Sequence, residues 1–264
     1  MSKEVKTGTM HPLSLLANQA YEAFIEMGFE IATGPELESE WYNFDVLNVP
    51  KDHPARDMQD TFWIKLPAPT ENFGAFALGD EKTRDPRHLE FSSEQGVRQV
   101  LRTHTTSVTA RAIEQAGEEG ILSCAFISIG KVFRNEATDI THEMQFFQID
   151  GAMVGENISI ADLKGVLTHF YKKMLGDEVE IEFRPSFFPF TEPSIEVFAK
   201  FKGKWLEMMG AGMLHPNVLH NVGLDPKKVQ GFAFGGGLDR IAMIKWGIPD
   251  VRLFYQGDLR LNQF

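Results

Sequence analysis

The sequence contains a single cysteine, Cys124, among its 264 residues. One thiol excludes an intrachain disulfide and a cysteine-based zinc cluster, and it is typical of proteins in a reducing compartment. No uninterrupted apolar run reaches roughly 18 residues, and the start, MSKEVKTGTMHPL, contains no apolar signal core. The sequence therefore predicts neither a membrane span nor a secretory signal, and we expect a cytoplasmic protein with no membrane partner.

Basic residues are also scarce, because 26 Lys and Arg stand against 37 Asp and Glu, for a net charge of −11. A protein that binds a polynucleotide with its whole surface needs clustered cations. Any contact with nucleic acid must therefore be local or be made by another chain. The apolar content of 43 % and the charged content of 24 % are ordinary for a globular protein, and the length allows one large domain.

Segments that alternate with period two outnumber segments with helical spacing and mostly follow one another directly. Helices are predicted over 13–28, 108–117, 159–176 and 238–247. Strands are predicted over 29–37, 61–66, 121–136, 144–155, 178–185, 194–201, 204–212 and 230–235, while 97–103 fits a helix end or a strand. Irregular loops are predicted over 43–60 and 67–88. This order predicts an α+β domain, an antiparallel sheet with helices packed on it.

Residues 130–151, GKVFRNEATDITHEMQFFQIDG, resemble a buried hairpin but contain many groups that are costly to bury. Because side chains alternate across a strand, residues two apart share a face. If the polar faces of the two strands coincide, they form the floor of a ligand site. Its members would be Arg134, Glu136, Phe146, Gln148 and Asp150, with His142 on the connecting loop. The alternative is an ordinary hairpin whose rim residues pair across the strands.

A second constellation lies at 231–243, GFAFGGGLDRIAM, where an apolar strand leads into three glycines and a helix. Glycines allow a backbone to approach a ligand closely, and a helix N-terminus favours anions. Arg240 occupies the position of the last glycine in a dinucleotide-binding GxGxxG motif, which excludes that motif. Arg240 beside such a turn is typical of a phosphate ligand. The alternative is a tight turn that ends a core strand.

Together the two constellations resemble motifs 2 and 3 of the class II aminoacyl-tRNA synthetases, and FEIATGPELE resembles motif 1. Longer strings are similar to the catalytic α subunits of the phenylalanyl-tRNA synthetases. These strings are HPARDMQDTFW, LRTHTT, FRPSFFPFTEPS, WLEMMGAGMLHPNVL and GIPDVRLF. The resemblance extends from about His11 to Phe264. It implies a class II synthetase-like antiparallel sheet flanked by helices.

The resemblance also implies a reaction. ATP and phenylalanine would give phenylalanyl-adenylate and pyrophosphate, and the amino acid would pass to tRNA(Phe). Such chemistry depends on positioning and charge neutralisation rather than on a strong base. By motif position, Arg134 and Arg240 would be catalytic and would bind the α- and γ-phosphates. The other implied ATP-site residues are Glu136 and Phe146 at the adenine, His142 at the outer phosphates, Glu207, and Gly237 in the glycine turn.

The amino-acid site implied by the resemblance has apolar walls and a clamp for the ammonium and carboxylate groups. The walls would be Phe188, Phe190 and Ala233. The clamp would be His104, Thr106, Gln148 and Asp150, with Trp63 as a lid. Plain core aromatics are the alternative for the two phenylalanines. Glu192 is implied as a ligand of Mg²⁺, shared with a partner subunit.

Four positions around this clamp depart from the usual bacterial residues, namely Thr106, Thr109, Phe147 and Asp150. Bacterial α subunits usually have serine, glutamine, histidine and glutamate there. The expected domains are a short extension at 1–10 and one catalytic domain at 11–264, without the N-terminal tRNA-binding helical hairpin. The expected partners are a β subunit in a heterotetramer of two α and two β chains, tRNA(Phe) and phenylalanine.

Two other functions are compatible with the same residues. A paralogue could keep the fold and bind amino acid or ATP without charging tRNA, as a regulatory protein. A ligase could also hand its adenylate to an acceptor other than tRNA. The presence of both Arg134 and Arg240 favours catalysis, because a decayed site has no reason to keep two costly arginines.

Overall fold

The computed structural model describes residues 8–57, 60–65, 91–92, 96–201, 203–259 and 261. In these ranges the α-helices are α1 (Pro12–Glu26), α2 (Thr106–Glu118), α3 (Ile160–Leu175), α4 (Pro216–Asn221) and α5 (Leu238–Trp246). The strands are β1 (Glu30–Ile31), β2 (Leu37–Ser39), β3 (Trp63–Lys65), β4 (Phe91–Ser92), β5 (Gly96–Leu101), β6 (Cys124–Phe133), β7 (Gln145–Gly155), β8 (Glu180–Phe188), β9 (Thr191–Phe201), β10 (Lys204–Leu214) and β11 (Gln230–Gly237). A π-helix covers Trp41–Asp45, and 3₁₀ turns cover Pro54–Arg56 and Val251–Tyr255.

A seven-stranded sheet forms the centre, in the order β1-β6-β7-β11-β10-β9-β8. Every neighbouring pair is antiparallel except β1 with β6, which run parallel. A smaller antiparallel sheet places β5 between β2 and β3, and β4 also pairs with β5. The predicted α+β class with a mainly antiparallel sheet is therefore confirmed.

The two faces of the large sheet have different coverings. One face packs apolar side chains such as Ile127, Phe232 and Phe234 against α1, α3 and α5. The opposite face packs Ala152 and Ala233 against α2 and the π-helix segment. Since neighbours along a strand point to opposite faces, the second face is where the even-numbered residues of β6 and β7 lie.

Most predicted elements are present, with instructive differences. The predicted strand at 29–37 is wrong as one unit, because Gly34 and Pro35 separate β1 and β2, which belong to different sheets. The segment 97–103 contains a strand, and β6 ends at Phe133, before Arg134 and Glu136. The predicted loop at 67–88 lies outside the described residues. None of the helices in the described ranges has the length and apolar content needed to cross a bilayer.

Candidate active site

Strands β6 and β7 bring the polar face of the hairpin together. Ser128 lies opposite Asp150, and Gly130 lies opposite Gln148. The pairing continues past the end of β6, since the N–H of Arg134 donates to the carbonyl of Met144 at 2.9 Å. Phe146, Gln148 and Asp150, which alternation assigns to one face of β7, therefore share that face, while Arg134 and Glu136 follow the end of β6.

An open cavity of about 380 Å³ lies where this face meets the end of β11 and the start of α5. Both sequence constellations contribute to its wall. Of the predicted residues, the lining contains Arg134, Glu136, His142, Phe146, Gln148, Glu207, Gly237 and Arg240. The structure thus brings together the whole set assigned to ATP by resemblance, although residues 152–230 separate the two motifs in the chain.

The two arginines of the cavity are held by different contacts. The guanidinium of Arg134 lies over the ring of Phe146, with 5.1 Å between Cζ and the ring centroid, an arrangement favoured by the negative face of the ring. Nε of Arg240 donates to the carbonyl of Glu207 at 2.7 Å. Neither arginine forms a salt bridge among the described ion pairs. Their charge remains available to an anion.

His142 is exposed on the loop between β6 and β7. Its Nδ1 lies 3.0 Å from a carboxylate oxygen of Asp139, and its backbone N–H donates to the same side chain at 2.8 Å. The backbone N–H of Thr141 also donates to Asp139, at 2.6 Å. These contacts fold the loop tip on itself and leave His142 at the rim of the cavity.

The three glycines that end β11 differ in what surrounds them, and so in why a side chain is absent there. A Cβ atom on Gly235 would lie 2.1 Å from Oδ1 of Asp150, and one on Gly236 would lie 2.6 Å from the carbonyl of Met208. A Cβ on Gly237 would lie 3.9 Å from Cβ of Arg240. Gly235 and Gly236 are therefore required by close packing, whereas Gly237 borders the open space of the cavity.

Asp150 is a buried carboxyl group, 2 % exposed, that accepts hydrogen bonds from the hydroxyls of Thr105 and Thr106. The Thr106 contact measures 2.7 Å. Burial raises the pKa of Asp150 to about 6, and the two hydroxyls and Arg134 oppose this effect. At neutral pH the group is therefore an anion that a cationic ligand would stabilise.

His104 and Gln148 offer further acceptors. Nε2 of His104 lies 2.9 Å from the carbonyl of Asn43 and must carry the hydrogen, because a carbonyl only accepts. Burial lowers the pKa of His104 to about 4, so the ring is neutral and its Nδ1 is an acceptor. Nδ1 of His104 and Oε1 of Gln148 are buried without a hydrogen-bond partner among the described residues. Buried unpartnered acceptors are unfavourable unless a ligand supplies donors.

The residues predicted as apolar walls lie in packed surroundings. Ala233 is one of three small residues side by side on adjacent strands, because it pairs with Ala152 on one side and with Gly212 on the other. The rings of Phe188 and Phe190 stack with centroids 5.7 Å apart. Phe190 packs on the cluster that contains Ala233.

Trp63 packs on that same cluster from the smaller sheet. Its ring lies 6.0 Å from that of Phe44, and its Nε1 donates to the carbonyl of Arg56 at 3.2 Å. Arg56 is itself buried and pairs with Glu40 and Asp45. The indole of Trp63 is thus bonded to the backbone of Arg56, a residue whose side chain belongs to a buried ion-pair network.

Comparison with known proteins identifies the family. The family profile described as "tRNA synthetases class II core domain (F)" matches residues 1–264. The phenylalanine–tRNA ligase alpha subunits of Bacillus mycoides (strain KBAB4), Bacillus cytotoxicus and Bacillus cereus (strain B4264) are each 46 % identical to this chain over 275 aligned residues. The alignments cover 99 % of this chain and 70 % of each relative. The chain belongs to the class II tRNA synthetase core family.

Within this class II synthetase core, half of the predicted site residues do not line the cavity as the described residues form it, namely Trp63, His104, Thr106, Asp150, Phe188, Phe190, Ala233 and Glu192. Of these, Glu192 is exposed on β9. Among those residues, no group of three or more His, Cys, Asp or Glu side chains is arranged to hold a metal ion. The role of Glu192 as a metal ligand stays a prediction.

Several residues that hold the synthetase site in shape were not among those predicted from the sequence. Asn43 is fully buried, accepts from the N–H of Thr103 at 3.1 Å and donates to the Thr103 hydroxyl at 3.1 Å. Arg102 is 4 % exposed and donates from Nε to the carbonyl of Lys131 at 2.7 Å and from Nη1 to that of Gly34 at 3.1 Å. Neither is part of a periodic pattern, so only their polar character inside apolar surroundings could have singled them out.

Proposed function

We propose that the chain activates phenylalanine with ATP and transfers it to tRNA(Phe), as the catalytic α subunit of a phenylalanine–tRNA ligase. The observation that carries this proposal is one cavity lined by Arg134, Phe146 and Arg240, together with the buried carboxyl group of Asp150 and the two buried, unpartnered acceptors of His104 and Gln148. A mononucleotide with several phosphates and an amino acid with an aromatic side chain fit these two halves. The names of the relatives agree with it.

In the ATP half, Arg134 binds the α-phosphate and Arg240 the γ-phosphate, each through the planar fork of its guanidinium. Phe146 stacks on the adenine ring and Glu136 accepts from its amino group. His142 reaches the outer phosphates from the loop, and Gly237 leaves room for them at the start of α5. The support is that all of these residues line the same cavity.

In the amino-acid half, the ammonium group donates to His104, Gln148 and Asp150. Their acceptor atoms outnumber the donors that the described residues offer them. Thr106 acts through its hydrogen bond to Asp150. The phenyl ring lies between Phe188, Phe190 and the floor at Ala233, where edge-to-face contacts add to burial, and Trp63 covers the site.

The chemistry requires little from the protein beyond positioning. The carboxylate oxygen of phenylalanine attacks the α-phosphorus, and the bond from that phosphorus to the bridging oxygen of pyrophosphate breaks. In the second step, the 2′-hydroxyl of the terminal adenosine of tRNA attacks the carbonyl carbon, and AMP leaves. Charge develops on the phosphate oxygens, so the fixed guanidinium of Arg134 stabilises the transition state of activation.

Mg²⁺ fits this site as an ion that enters with ATP. Mg²⁺ is usually held by one or two carboxylates together with the substrate phosphates, so a cluster of protein ligands is not required. Glu207 lines the cavity beside Arg240 and provides such a carboxylate. The ion would neutralise charge on the phosphates. Glu192, exposed on β9, is available for an ion shared with a partner subunit.

The remaining proposals concern the assembly. A β subunit, in a heterotetramer of two α and two β chains, would provide most of the contact with tRNA(Phe), because the net charge of −11 disfavours broad polynucleotide binding by this chain. Residues 11–264 would form the catalytic domain. A cytoplasmic location follows from the role in protein synthesis.

The test is ATP–pyrophosphate exchange with each of the twenty amino acids, for the chain alone and with its cognate β subunit. We expect phenylalanine to support the fastest exchange in at least one of these preparations. Exchange that depends on a different amino acid, or no exchange in either preparation, contradicts the proposal. The binding-only alternative predicts binding of ATP without exchange.

A further inference from the structure

A buried carboxyl group at the start of α5 is not used by the mechanism above. Asp239 is 2 % exposed, although it forms part of the cavity wall. Its Oδ2 accepts from the N–H of Phe147 at 2.8 Å, and its Oδ1 accepts from the hydroxyl of Tyr255. Since protein donors engage both oxygens, Asp239 is placed to hold other residues rather than to bind substrate.

The hydrogen bond to Phe147 joins the two motifs of the ATP site. Strand β11 ends at Gly237, which pairs with Gln148 of β7. The next N–H along β7 in that direction belongs to Phe147, and the carboxylate of Asp239 supplies its acceptor beyond the end of β11. Phe146, which precedes Phe147, and Arg240, which follows Asp239, both line the cavity. A single side chain therefore adds a link between the two motifs just beyond the last pair of β7 and β11, next to Phe146 and Arg240.

The 3₁₀ turn Val251–Tyr255, which overlaps the end of the GIPDVRLF string, supports this link. Its Tyr255 donates to Asp239, and its Val251 N–H donates to the carbonyl of Ile140 at 3.1 Å. Burial and the nearby carboxylate raise the pKa of Tyr255 well above its ordinary range, so the hydroxyl remains a donor. The turn thus contacts both α5 and the loop between β6 and β7.

We infer that Asp239 and Tyr255 are positioning residues for ATP, through which the 3₁₀ turn holds Phe146 and Arg240 in register. The inference rests on the proposed function for the identity of the nucleotide. Without the hydroxyl of Tyr255, Asp239 is free to rotate away from Phe147. The adenine and phosphate contacts are then no longer formed together, which weakens ATP binding and leaves the proposed phenylalanine site unchanged.

The experiment measures exchange kinetics of Tyr255→Phe against both substrates. We expect the KM for ATP to rise about tenfold or more, from the lower end of the range for loss of one hydrogen bond to a charged group, and the KM for phenylalanine to stay within about twofold. Tyr171→Phe is the matched control. It removes the same hydroxyl from a fully buried tyrosine on α3 that has no hydrogen-bond partner among the described residues, and we expect no change in either KM.

Asp239→Asn provides a second variant that keeps the shape and can still accept from Phe147. If the two residues act through one link, the effects of Tyr255→Phe and Asp239→Asn on the KM for ATP are less than additive in the double variant. An unchanged KM for ATP in folded Tyr255→Phe overturns the inference. So does an equal rise in both KM values, which indicates general loss of structure.

The outcome can be separated from the fate of the proposed function. If the wild type shows no phenylalanine-dependent exchange, the proposed function fails, and the dissociation constant of ATP, measured by calorimetry on the same variants, replaces the KM. Weaker ATP binding by Tyr255→Phe, with the Tyr171→Phe control unchanged, still supports the positioning role. Equal ATP binding by all the proteins contradicts it.

Discussion

At the scale of single residues, the amino-acid end of the site contains one group that titrates near neutral pH. The pKa of Asp150 is raised to about 6 by burial, and that of His104 is lowered to about 4 by burial. Between about pH 5 and pH 8, therefore, His104 stays neutral while Asp150 changes charge, and it does so where the ammonium group of the proposed substrate would bind.

This titration predicts that phenylalanine binds more weakly in acid. Lowering the pH from 7.5 to 5 protonates Asp150 and removes its attraction for the ammonium group, so we expect the KM for phenylalanine to rise about tenfold. In Asp150→Asn the KM should be high and nearly constant over this range. Exchange assays at half-unit pH steps provide the measurement, and a wild-type pH dependence that survives in Asp150→Asn contradicts the assignment.

The same group affects stability with a definite sign. Its pKa is higher in the folded chain than the ordinary value of 3.8, so the folded state binds the proton more tightly. The resulting stabilisation is present below pH 3.8 and is lost as the pH rises through about 6. As the pH rises from 3.8 to about 6, the free energy of unfolding of the wild type should therefore fall relative to that of Asp150→Asn.

Ala233 carries a prediction about substrate size. It is 5 % exposed and faces away from Phe232 and Phe234, between Ala152 and Gly212. In Ala233→Gly, the loss of one methyl from the floor of the proposed phenylalanine site should admit para-substituted phenylalanines that the wild type excludes by overlap. Exchange with para-chlorophenylalanine relative to phenylalanine measures the effect. An unchanged ratio in an active variant would place the ring elsewhere.

At the scale of elements, alternation along strands is what made the site predictable. The apolar and polar positions of β6 and β7 repeat every two residues, so the shared face of Gln148 and Asp150 follows from the sequence. The resemblance then joined this hairpin to β11 and α5. Contacts that depend on close approach of distant segments, such as Asn43 with Thr103, leave no periodic signal.

The boundaries were less predictable for a related physical reason. Gly34 and Pro35 divide the predicted strand at 29–37, and the carbonyls they expose accept from Arg102, at 3.1 Å for Gly34 and 3.3 Å for Pro35. At this bend, hydrogen bonds from a buried arginine of another element thus take the place of hydrogen bonds to a neighbouring strand. The local propensities of the segment 29–37 do not indicate such a contact.

Gly130 on β6 tests this arrangement. A Cβ atom there would lie 2.2 Å from Nη2 of Arg102, whose guanidinium is buried and bonded to three carbonyls. We expect Gly130→Ala to lower the free energy of unfolding by about 2 to 4 kcal/mol, because the buried charge must leave its acceptors. Urea unfolding measures this change.

Gly165→Ala is the matched control for that variant. Gly165 lies on the exposed side of α3, and a Cβ there meets no atom within 4 Å. Alanine is a better helix former than glycine, so the free energy of unfolding of the control should rise by about 0.5 to 1 kcal/mol. Equal effects of the two substitutions would show that Arg102 does not require a glycine at position 130.

At the scale of the whole molecule, the two faces of the large sheet have different roles. One face is covered by α1, α3 and α5 and contains the larger apolar cluster. The other face leaves an open cavity where Arg134 and Arg240 reach the same space from sequence positions far apart. In the proposed function, this cavity is where ATP and phenylalanine react.

The most direct test is phenylalanine-dependent ATP–pyrophosphate exchange by Arg134→Ala, compared with the wild type and with Arg184→Ala. Arg184 is a matched arginine on β8 that pairs with Glu182 and does not line the cavity as the described residues form it. Loss of Arg134 should cost at least about 3 kcal/mol of transition-state stabilisation, a fall of roughly a hundredfold in kcat/KM. Arg184→Ala should stay near the wild-type rate. A folded Arg134→Ala protein that exchanges pyrophosphate at a near-normal rate would contradict the account.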